Sequence, residues 1–327
     1  MTGTTRRIAV FLTCVAVASS AAAQDTDSNQ DSNKNVERQA DRVLRQRAAG
    51  SGRQTKAVQE QRRSVARGRG QADITEGFSQ TVRLVPGGTF DLRNASGDVT
   101  ITGGGRGEAR IEAVKRVRDI NTARARAAIN QLRIEVVERG GNVEVRTISP
   151  RGPSRFTVNY TVVLPENANL ILRSTSGNFH VQRMAGDELN ADTISGNVNV
   201  RDVRSRMLEL HTVMGNMQLH DVATQRALLT SMAGSMEFVG RLMRAGRYDF
   251  QTHGGNIRVV PSGDPGFDLE AMTVSGDVRS DFVLRMLAPQ SEGPGARTLK
   301  VLRGRYGNAG AAVTATTFSG IIEIAKP

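Results

Sequence analysis

One short phrase recurs along this chain at nearly constant spacing. It consists of a small residue, a glycine, usually an asparagine or aspartate, and then alternating apolar and polar residues, as in Ser195-Gly196-Asn197-Val198-Asn199-Val200. The central glycines of the longest run are Gly177, Gly196, Gly215, Gly234, Gly255 and Gly276. The first three intervals between them are equal, and the last two are slightly longer and equal to each other. A nearly fixed period with strand-like alternation inside each unit is typical of a stacked β-repeat.

Alignment of the units on the glycine predicts which side chains point inward. Apolar residues stand two and four positions after the glycine, and five and seven positions before it. The residues two positions after the glycine are Phe179, Val198, Met217, Met236, Ile257 and Val278. In the column four positions after the glycine, Ser280 is the one polar exception. Because alternate residues of a strand face opposite sides, each unit is predicted to contain two short strands with an inward apolar face.

Each glycine is predicted to turn a corner between the two strands, since a corner requires positive φ, which glycine adopts at low cost. The predicted corners are Gly97, Gly177, Gly196, Gly215, Gly234, Gly255, Gly276 and Gly320. A hydroxyl residue stands three positions before the glycine in unit after unit. The predicted hydroxyl ladder is Ser174, Thr193, Thr212, Ser231, Thr252, Thr273 and Thr317. Stacked Ser, Thr and Asn side chains can hydrogen bond to each other or to the backbone of the next unit.

These columns predict a mainly β fold, a single-stranded β-helix (β-solenoid) with coils of about 19–21 residues. The Gly177 coil follows the Gly97 coil only after a gap of several repeat lengths, so residues 104–165 are predicted to form a small α+β insertion that caps the first coil. Within it we expect a helix from Thr122 to Leu132 and a hairpin after it. The interval between Gly276 and Gly320 spans slightly more than two repeat lengths, which predicts two further coils with a small insertion, the Gly320 coil being last.

The N-terminus predicts export. A charged start at Arg6 and Arg7 precedes a short apolar run and the small residues Ala21-Ala22-Ala23, so residues 1–23 are predicted to be a secretory signal peptide. A membrane anchor is the alternative, but the run is shorter than the roughly 20 residues that a span needs. Residues 24–75 are predicted to be a disordered Arg-rich linker, and residues 76–327 the β-solenoid domain. Cys14 falls in the signal peptide, so the mature chain is expected to hold no disulfide.

Charge and composition narrow the class of partner. The formal net charge is +12 and the chain has no Trp. The arginines of the linker predict salt-sensitive adhesion to an anionic envelope polymer, the alternative being a solvated tail. These arginines are Arg62, Arg63, Arg67 and Arg69. Export and the lack of interleaved aromatic residues argue against nucleic acid.

Catalytic and metal signatures are missing from the sequence. His180, His211, His220 and His253 share no column, so no metal site is expected, and His253 is predicted to be a core histidine at an inward position. Glu209, Asp249 and Glu270 share the column six positions before the glycine. Carboxylates on one exposed face are what a polysaccharide-acting β-helix enzyme, a lyase or a hydrolase, would use. That enzyme is kept as an alternative, and neither catalytic residues nor cofactors are expected.

The repeated phrase, the hydroxyl column, the predicted insertion and the strand from Tyr160 to Pro165 together resemble the bacterial candidate-adhesin family of β-strand-repeat domains, a family of unknown function. The resemblance covers Phe78 to Pro327, and Met214 and Ala233 depart from the usual serine of the phrase. It implies an exported β-solenoid and brings no catalytic residues.

From these features we expect a non-enzymatic adhesin or envelope scaffold in the periplasm or on the cell surface. The expected partner is an anionic envelope polymer or another envelope protein, and the mature protein is not expected to span a membrane. An accessory protein in envelope signalling is a further alternative.

Overall fold

The computed structural model describes residues 72–150, 155–263, 266–287, 299–308 and 310–327. All of these residues belong to one compact unit. The predicted signal peptide, the tail arginines and the linker up to residue 71 lie outside the described residues. The described part is mainly β, and one helix occurs in it. That helix is too short and too polar to cross a membrane.

The helix is α1 Thr122–Gln131. The strands, in chain order, are β1 Ala72–Arg83, β2 Thr89–Ser96, β3 Val99–Gly103, β4 Glu108–Asp119, β5 Arg133–Arg139, β6 Asn142–Ile148, β7 Arg155–Leu164, β8 Asn169–Ser176, β9 Phe179–Met184, β10 Glu188–Ser195, β11 Val198–Met214, β12 Met217–Ala233, β13 Met236–Gly254, β14 Ile257–Ser262, β15 Phe267–Ser280, β16 Arg285–Met286, β17 Lys300–Tyr306 and β18 Ala311–Ile324. They join into a single sheet of 18 strands.

Most strands pair in parallel with the equivalent segment one repeat away. Val198, for example, lies between Phe179 and Met217, which occupy the same position in the preceding and following repeats. We call the residues around one corner glycine a rung and name the rung by that glycine. From the Gly177 rung to the Gly234 rung, neighbours in the chain are neighbours in the stack.

The core is the column of inward side chains that the rungs enclose. Phe179, Val198, Met217, Met236 and Ile257 are all at most 2% exposed, so the predicted inward column is confirmed in these rungs. Burial of these side chains stabilises the fold by about 25 cal/mol for each Å² of apolar surface removed from water. A single rung could not bury them alone, because neighbouring rungs supply the contacts.

The insertion covers the outer side of the Gly97 rung. Strand β6 pairs in parallel with β2, and β7 with β3, while β8 and β9 pair with the same two strands on the opposite side. Strand β4 then joins β7 and β1 in antiparallel pairing. Helix α1 packs on β1 and β4, and the Asn121 side chain caps its N-terminus by accepting hydrogen bonds from the Ala123 and Arg124 amides. Strands β5 and β6 pair antiparallel, with Arg139 opposite Asn142, so the predicted helix and hairpin are both present.

The folded part begins earlier than the sequence predicted. Strand β1 starts at Ala72, inside the segment predicted to be linker up to residue 75. It pairs with β4 along its whole length, from Ala72 opposite Asp119 to Arg83 opposite Glu108. The prediction was wrong for residues 72–75 because the partner strand, distant in sequence, stabilises a segment whose own composition is too polar to form a core.

The last strand of the chain lies inside the stack and not at its end. Strand β18 pairs in parallel with β13 and β14 on one side and with β15 on the other. The Gly320 rung therefore lies between the Gly255 and Gly276 rungs. Strand β17 runs antiparallel along the outer edge of β15. The prediction that two further coils follow Gly276 with the Gly320 coil last is wrong, because all rungs share the same columns and the pattern does not encode their order.

Candidate functional site

The corner glycines bring neighbouring rungs into close backbone contact. Gly196 has a φ of +156° and Gly215 one of +152°. A Cβ atom on Gly196 would collide with the carbonyl oxygen of Gly177, and one on Gly215 with that of Gly196. Positive φ occurs at Gly97, Gly177, Gly196, Gly215, Gly234, Gly255 and Gly320. Gly276, in the outermost rung, has no positive φ, yet a Cβ there would still collide with the Gly320 carbonyl.

The residues after the glycines form a ladder of side-chain acceptors. The Asn178 Oδ1 accepts a hydrogen bond from the Asn197 amide at 2.9 Å, and the Asn197 Oδ1 accepts one from the Asn216 amide at 2.9 Å. The Asn216 Oδ1 accepts from Ser235 in the same way, at 2.9 Å. Each bond crosses from one rung to the next, so the ladder fixes the register of the corners. We call it the amide ladder.

Both ends of the amide ladder were missed by the sequence analysis. It begins in the insertion, where the Asn159 Oδ1 accepts from the Asp98 amide at 3.0 Å. It ends at Ile321, whose own amide donates to the Asn256 Oδ1 at 2.9 Å but whose side chain offers no acceptor to the next rung. Asn159 follows no corner glycine, so the repeated phrase could not identify it.

The hydroxyl column lies inside the corners and contacts the backbone. Four threonines donate to the corner carbonyl of the neighbouring rung. These bonds join Thr212 to Gly196 at 3.5 Å, Thr252 to Gly234 at 3.2 Å, Thr317 to Gly255 at 3.1 Å and Thr273 to Gly320 at 3.2 Å. Ser174 donates to Ser176 in its own strand at 3.2 Å. The hydroxyls of Thr193 and Ser231 are buried and contact no polar partner in the described part of the chain.

The outward column three positions after the glycine carries alternating charge at its C-terminal end. In stack order it reads Glu237, Arg258, Glu323 and Arg279. The Arg258 guanidinium lies 3.6 Å from the Glu237 carboxylate and 2.9 Å from that of Glu323. Charge in this column is therefore neutralised from rung to rung.

The column two positions before the glycine is apolar and faces outward. Ile194, Met232 and Phe318 are 51%, 57% and 49% exposed. The His253 ring stacks on Phe318, with centroids 4.8 Å apart and planes at 7°. With Val213 these side chains form one continuous line across successive rungs, which we call the apolar stripe. Exposed apolar patches of this kind mark interaction sites.

The position of His253 corrects a prediction. His253 is exposed, and the expectation of a core histidine at an inward position is wrong. Its neighbour Thr252 is 6% exposed and points inward, so strict alternation places His253 outside. The strand register predicts the outward orientation of His253 correctly, whereas the apolar composition of its column does not. An apolar column can also form a contact surface on the outside of the protein.

A shallow depression opens beside the apolar stripe. It has a volume of about 270 Å³ and is lined in part by Ile194, Arg173 and Asp192. The Arg173 guanidinium lies 3.7 Å from the Asp192 carboxylate. The stripe is thus bordered by a charged pair at this point.

The three carboxylates considered for catalysis lie on separate rungs that do not adjoin. Leu228 lies between Glu209 and Asp249, and Thr314 lies between Asp249 and Glu270. The register does not bring two of these acids together on neighbouring strands, as a shared proton or a close nucleophile–acid pair would require.

The four histidines do not converge either. They occupy four different columns, and although His211 and His220 both belong to the Gly215 rung, no two of the four face each other across a strand pair. Across the described ranges, no group of three or more His, Cys, Asp or Glu side chains is placed to hold a metal ion.

Stacked parallel strands, glycine corners and the amide ladder define a mainly β repeat protein. The model of the Toastrack DUF4097 family matches residues 125–325, which is more than half of the chain. The chain therefore belongs to the Toastrack DUF4097 family. A comparison with curated protein sequences finds no match.

Several solved structures are loosely similar. A candidate adhesin from Bacteroides fragilis NCTC 9343 is 12% identical, over 76% of this chain and 97% of that chain, with a TM-score of 0.43. A candidate cell adhesion protein from Clostridium sporogenes ATCC 15579 is 11% identical, over 77% and 100%, with a TM-score of 0.36. A candidate lipid binding protein from Parabacteroides distasonis ATCC 8503 is 10% identical, over 76% and 97%, with a TM-score of 0.37.

Proposed function

We propose that this chain is an exported, non-enzymatic binding protein of the cell envelope, an adhesin or a scaffold, built as a single-stranded β-helix. The apolar stripe is its contact surface for another envelope protein. The observation that carries the proposal is the exposure of Ile194, Met232 and Phe318 in one line on a single outward column.

Support comes first from the rigidity of the scaffold. The amide ladder and the glycine contacts hold neighbouring rungs in register, and parallel strands lie about 4.8 Å apart. The stripe side chains are therefore presented at fixed intervals, and little conformational entropy is lost when a partner covers them.

The surroundings of the stripe favour a protein partner over a polymer. The Arg173–Asp192 pair borders it, at 3.7 Å, so part of its rim is charged. Interfaces between proteins have an apolar centre rich in aromatic residues and methionine, surrounded by a polar rim. Phe318 and Met232 match that composition, whereas a site for an anionic polymer would require exposed cations in the positions of these apolar side chains.

Within the alternative of a polysaccharide-acting enzyme, a retaining hydrolase would need two carboxylates close together on neighbouring strands. Glu209, Asp249 and Glu270 lie on rungs that do not adjoin, and no contact of these three side chains with another described residue favours catalysis. The proposal therefore assigns a binding role.

The test is capture from envelope fractions by the purified protein. We compare the parent with Ile194→Ser/Met232→Ser/Phe318→Ser, and the matched control is Asn199→Ser/Gln218→Ser, two outward changes on another column. The stripe variant should lose the captured protein while the control keeps it, and capture should persist at high salt because apolar contact is not screened.

Two results would contradict the proposal. One is equal capture by parent and stripe variant when both unfold at the same urea concentration. The other is recovery of the native protein from the cytoplasm with Met1 intact, which would exclude export. Sedimentation of the purified protein separates capture of a partner from self-association through the stripe.

A further inference from the structure

Two arginines face each other on neighbouring strands without a counter-charge. Arg226 of β12 and Arg247 of β13 are register partners. Arg206 lies one rung earlier, beside Met207, which is the register partner of Arg226 on the other side. The three arginines line a shallow depression of about 350 Å³. Its full lining is Arg206, Met207, Gln225, Arg226, Ala245 and Arg247.

This arrangement costs stability unless an anion is present. A guanidinium remains charged at any physiological pH. Like charges directly opposite each other on paired strands destabilise the pair. Arg226 and Arg247 form no ion pair with a carboxylate of the described residues, and Arg206 has one, a 4.0 Å contact with exposed Asp187.

Acidic residues of the same column do not reach the pair. Glu188 and Asp268 occupy this column, but Met207 separates Glu188 from Arg226, and Ala312 separates Asp268 from Arg247. Asp249, two residues further along β13, is 3.1 Å from the Gln251 amide nitrogen, which donates to it.

Charged groups elsewhere in the stack are compensated where they face another charge, as two examples show. Arg258 lies between two carboxylates, those of Glu237 and Glu323. The hydrogen bond from Lys300 holds the pKa of the Asp277 carboxyl below its ordinary value, at an N–O distance of 2.9 Å. Arg226 and Arg247, in contrast, face each other directly with no carboxylate of the described residues within ion-pair distance, and a bound anion would offset that repulsion.

We propose that Arg206, Arg226 and Arg247 form a binding site for a phosphate group. The inference rests on the proposed binding function and deepens it, because it names a second ligand class and its place on the protein. Guanidinium groups donate in a planar fork that matches phosphate oxygens. A phosphate monoester offers three terminal oxygens to guanidiniums arriving from successive rungs, whereas a single carboxylate offers two.

The first test uses inorganic phosphate as the probe and thermal unfolding as the readout. Phosphate should raise the unfolding temperature of the parent above that in chloride of equal ionic strength, since a ligand of the folded state stabilises it. Arg226→Gln/Arg247→Gln should weaken apparent phosphate affinity by about tenfold or more, the effect expected from losing charge-assisted hydrogen bonds.

The matched control is Arg110→Gln/Arg126→Gln. Both residues are exposed, lie on the insertion and form no ion pair with a described residue, so the change in net charge is the same. The control should keep the phosphate response. Equal responses in both double variants, or no response in the parent, would overturn the site. In phosphate-free buffer of low salt the Arg226→Gln/Arg247→Gln protein should be no less stable than the parent, and a clear loss would also overturn the proposal.

A second arm distinguishes the source of the phosphate. Phosphatidylcholine vesicles with and without phosphatidic acid are sedimented with the protein. Binding that requires phosphatidic acid and is displaced by inorganic phosphate assigns a lipid headgroup, while a phosphate response without vesicle binding assigns a soluble or polymer phosphate. The apolar stripe variant should keep the phosphate response. A parent protein that captures no envelope protein contradicts the binding function but not this site, and a parent protein without a phosphate response contradicts this site but not the binding function.

Discussion

Rungs in the middle of the stack follow the order of the chain, whereas rungs at the C-terminal end do not, although both regions are built from the same kind of rung. Between the Gly177 and Gly234 rungs, each repeat pairs with the repeat before it and the repeat after it in the chain. At the C-terminal end the Gly320 rung, formed last in sequence, occupies the slot between the Gly255 and Gly276 rungs. The inward columns define what a rung is, and the order of rungs depends on other contacts.

Ion pairs in the outward column three positions after the glycine are one of those contacts. If the rungs followed the chain, Arg258 would face Arg279 directly, and like charges opposite each other are destabilising. With β18 in the slot, Glu323 lies between them and pairs with Arg258 at 2.9 Å. The inserted order therefore replaces a repulsion by an attraction.

The outermost position also suits the Gly276 rung better than an inner one. Ser280 stands in the inward column of that rung, and Val278 is only half buried. An inner rung with a polar residue in this column would leave a hydroxyl inside the core at a cost. At the edge, the Ser280 hydroxyl instead contacts the Phe282 amide at 3.2 Å.

The largest expected effect compares an inward residue of each region. Val198→Asp places a carboxylate between Phe179 and Met217, and burial of that charge should cost several kcal/mol out of a total of about 5–15 kcal/mol. Ile322→Asp makes the same change in the Gly320 rung. Hydrogen exchange should show loss of protection across the middle of the stack for Val198→Asp, and loss confined to strands β15, β17 and β18 for Ile322→Asp.

The control for this pair is Asn199→Asp, an outward change next to Val198. It should cost about 0.5 kcal/mol or less in a urea melt, as surface changes usually do. If Asn199→Asp is more damaging than Val198→Asp, the inward column is misassigned. If Ile322→Asp removes protection from the whole stack, the two regions are not independent and the comparison fails.

A smaller difference in stability between the two regions is expected when their corner glycines are substituted. Gly196→Ala forces a Cβ against the Gly177 carbonyl at a φ of +156° and should cost about 3 kcal/mol. Gly276→Ala meets the Gly320 carbonyl in a similar way, but no rung lies beyond it, so the rung can shift outward and the cost should be about half. Urea melts of both variants decide the point, and an equal or larger cost for Gly276→Ala would show that the outer rung is held as firmly as an inner one.

The sequence predicted the inward columns because period-two alternation and a constant repeat length are local and redundant. Phe179 and Ile257 were assigned inward from spacing alone, and both are fully buried. The order of the last rungs could not be read from that pattern, because any rung can pair with any other. A signal existed in Ser280 and in the adjacent charges of Arg258 and Arg279, but it was weaker than the expectation that neighbours in sequence are neighbours in space.

The candidate surfaces were harder to predict than the core. The apolar stripe was misjudged because an apolar column was taken as inward at His253. The lack of a counter-charge at the two arginines depends on which residues face each other across β12 and β13. The register of these two strands shifts between Thr224 and Arg226. Arg226 and Arg247 stand at the same distance before their corner glycines, so alignment on the glycine pairs them, but it does not show that no carboxylate approaches the pair.

The smallest expected effect concerns the amide ladder, which runs through the middle of the stack and stops at Ile321. Asn216→Ala removes the acceptor that the Ser235 amide contacts at 2.9 Å, and should cost about 1 kcal/mol. Ile321→Asn adds a side-chain acceptor at the C-terminal end of the ladder. The register places Asp277 one rung beyond Ile321, as Asn197 lies beyond Asn178, so the new Oδ1 can accept from the Asp277 amide. We expect a gain of about 0.5–1 kcal/mol in urea melts. A loss of stability on Ile321→Asn would mean that the outer rung is held by apolar contact at Ile321 and that the ladder ends there because the Gly276 corner has a different backbone conformation.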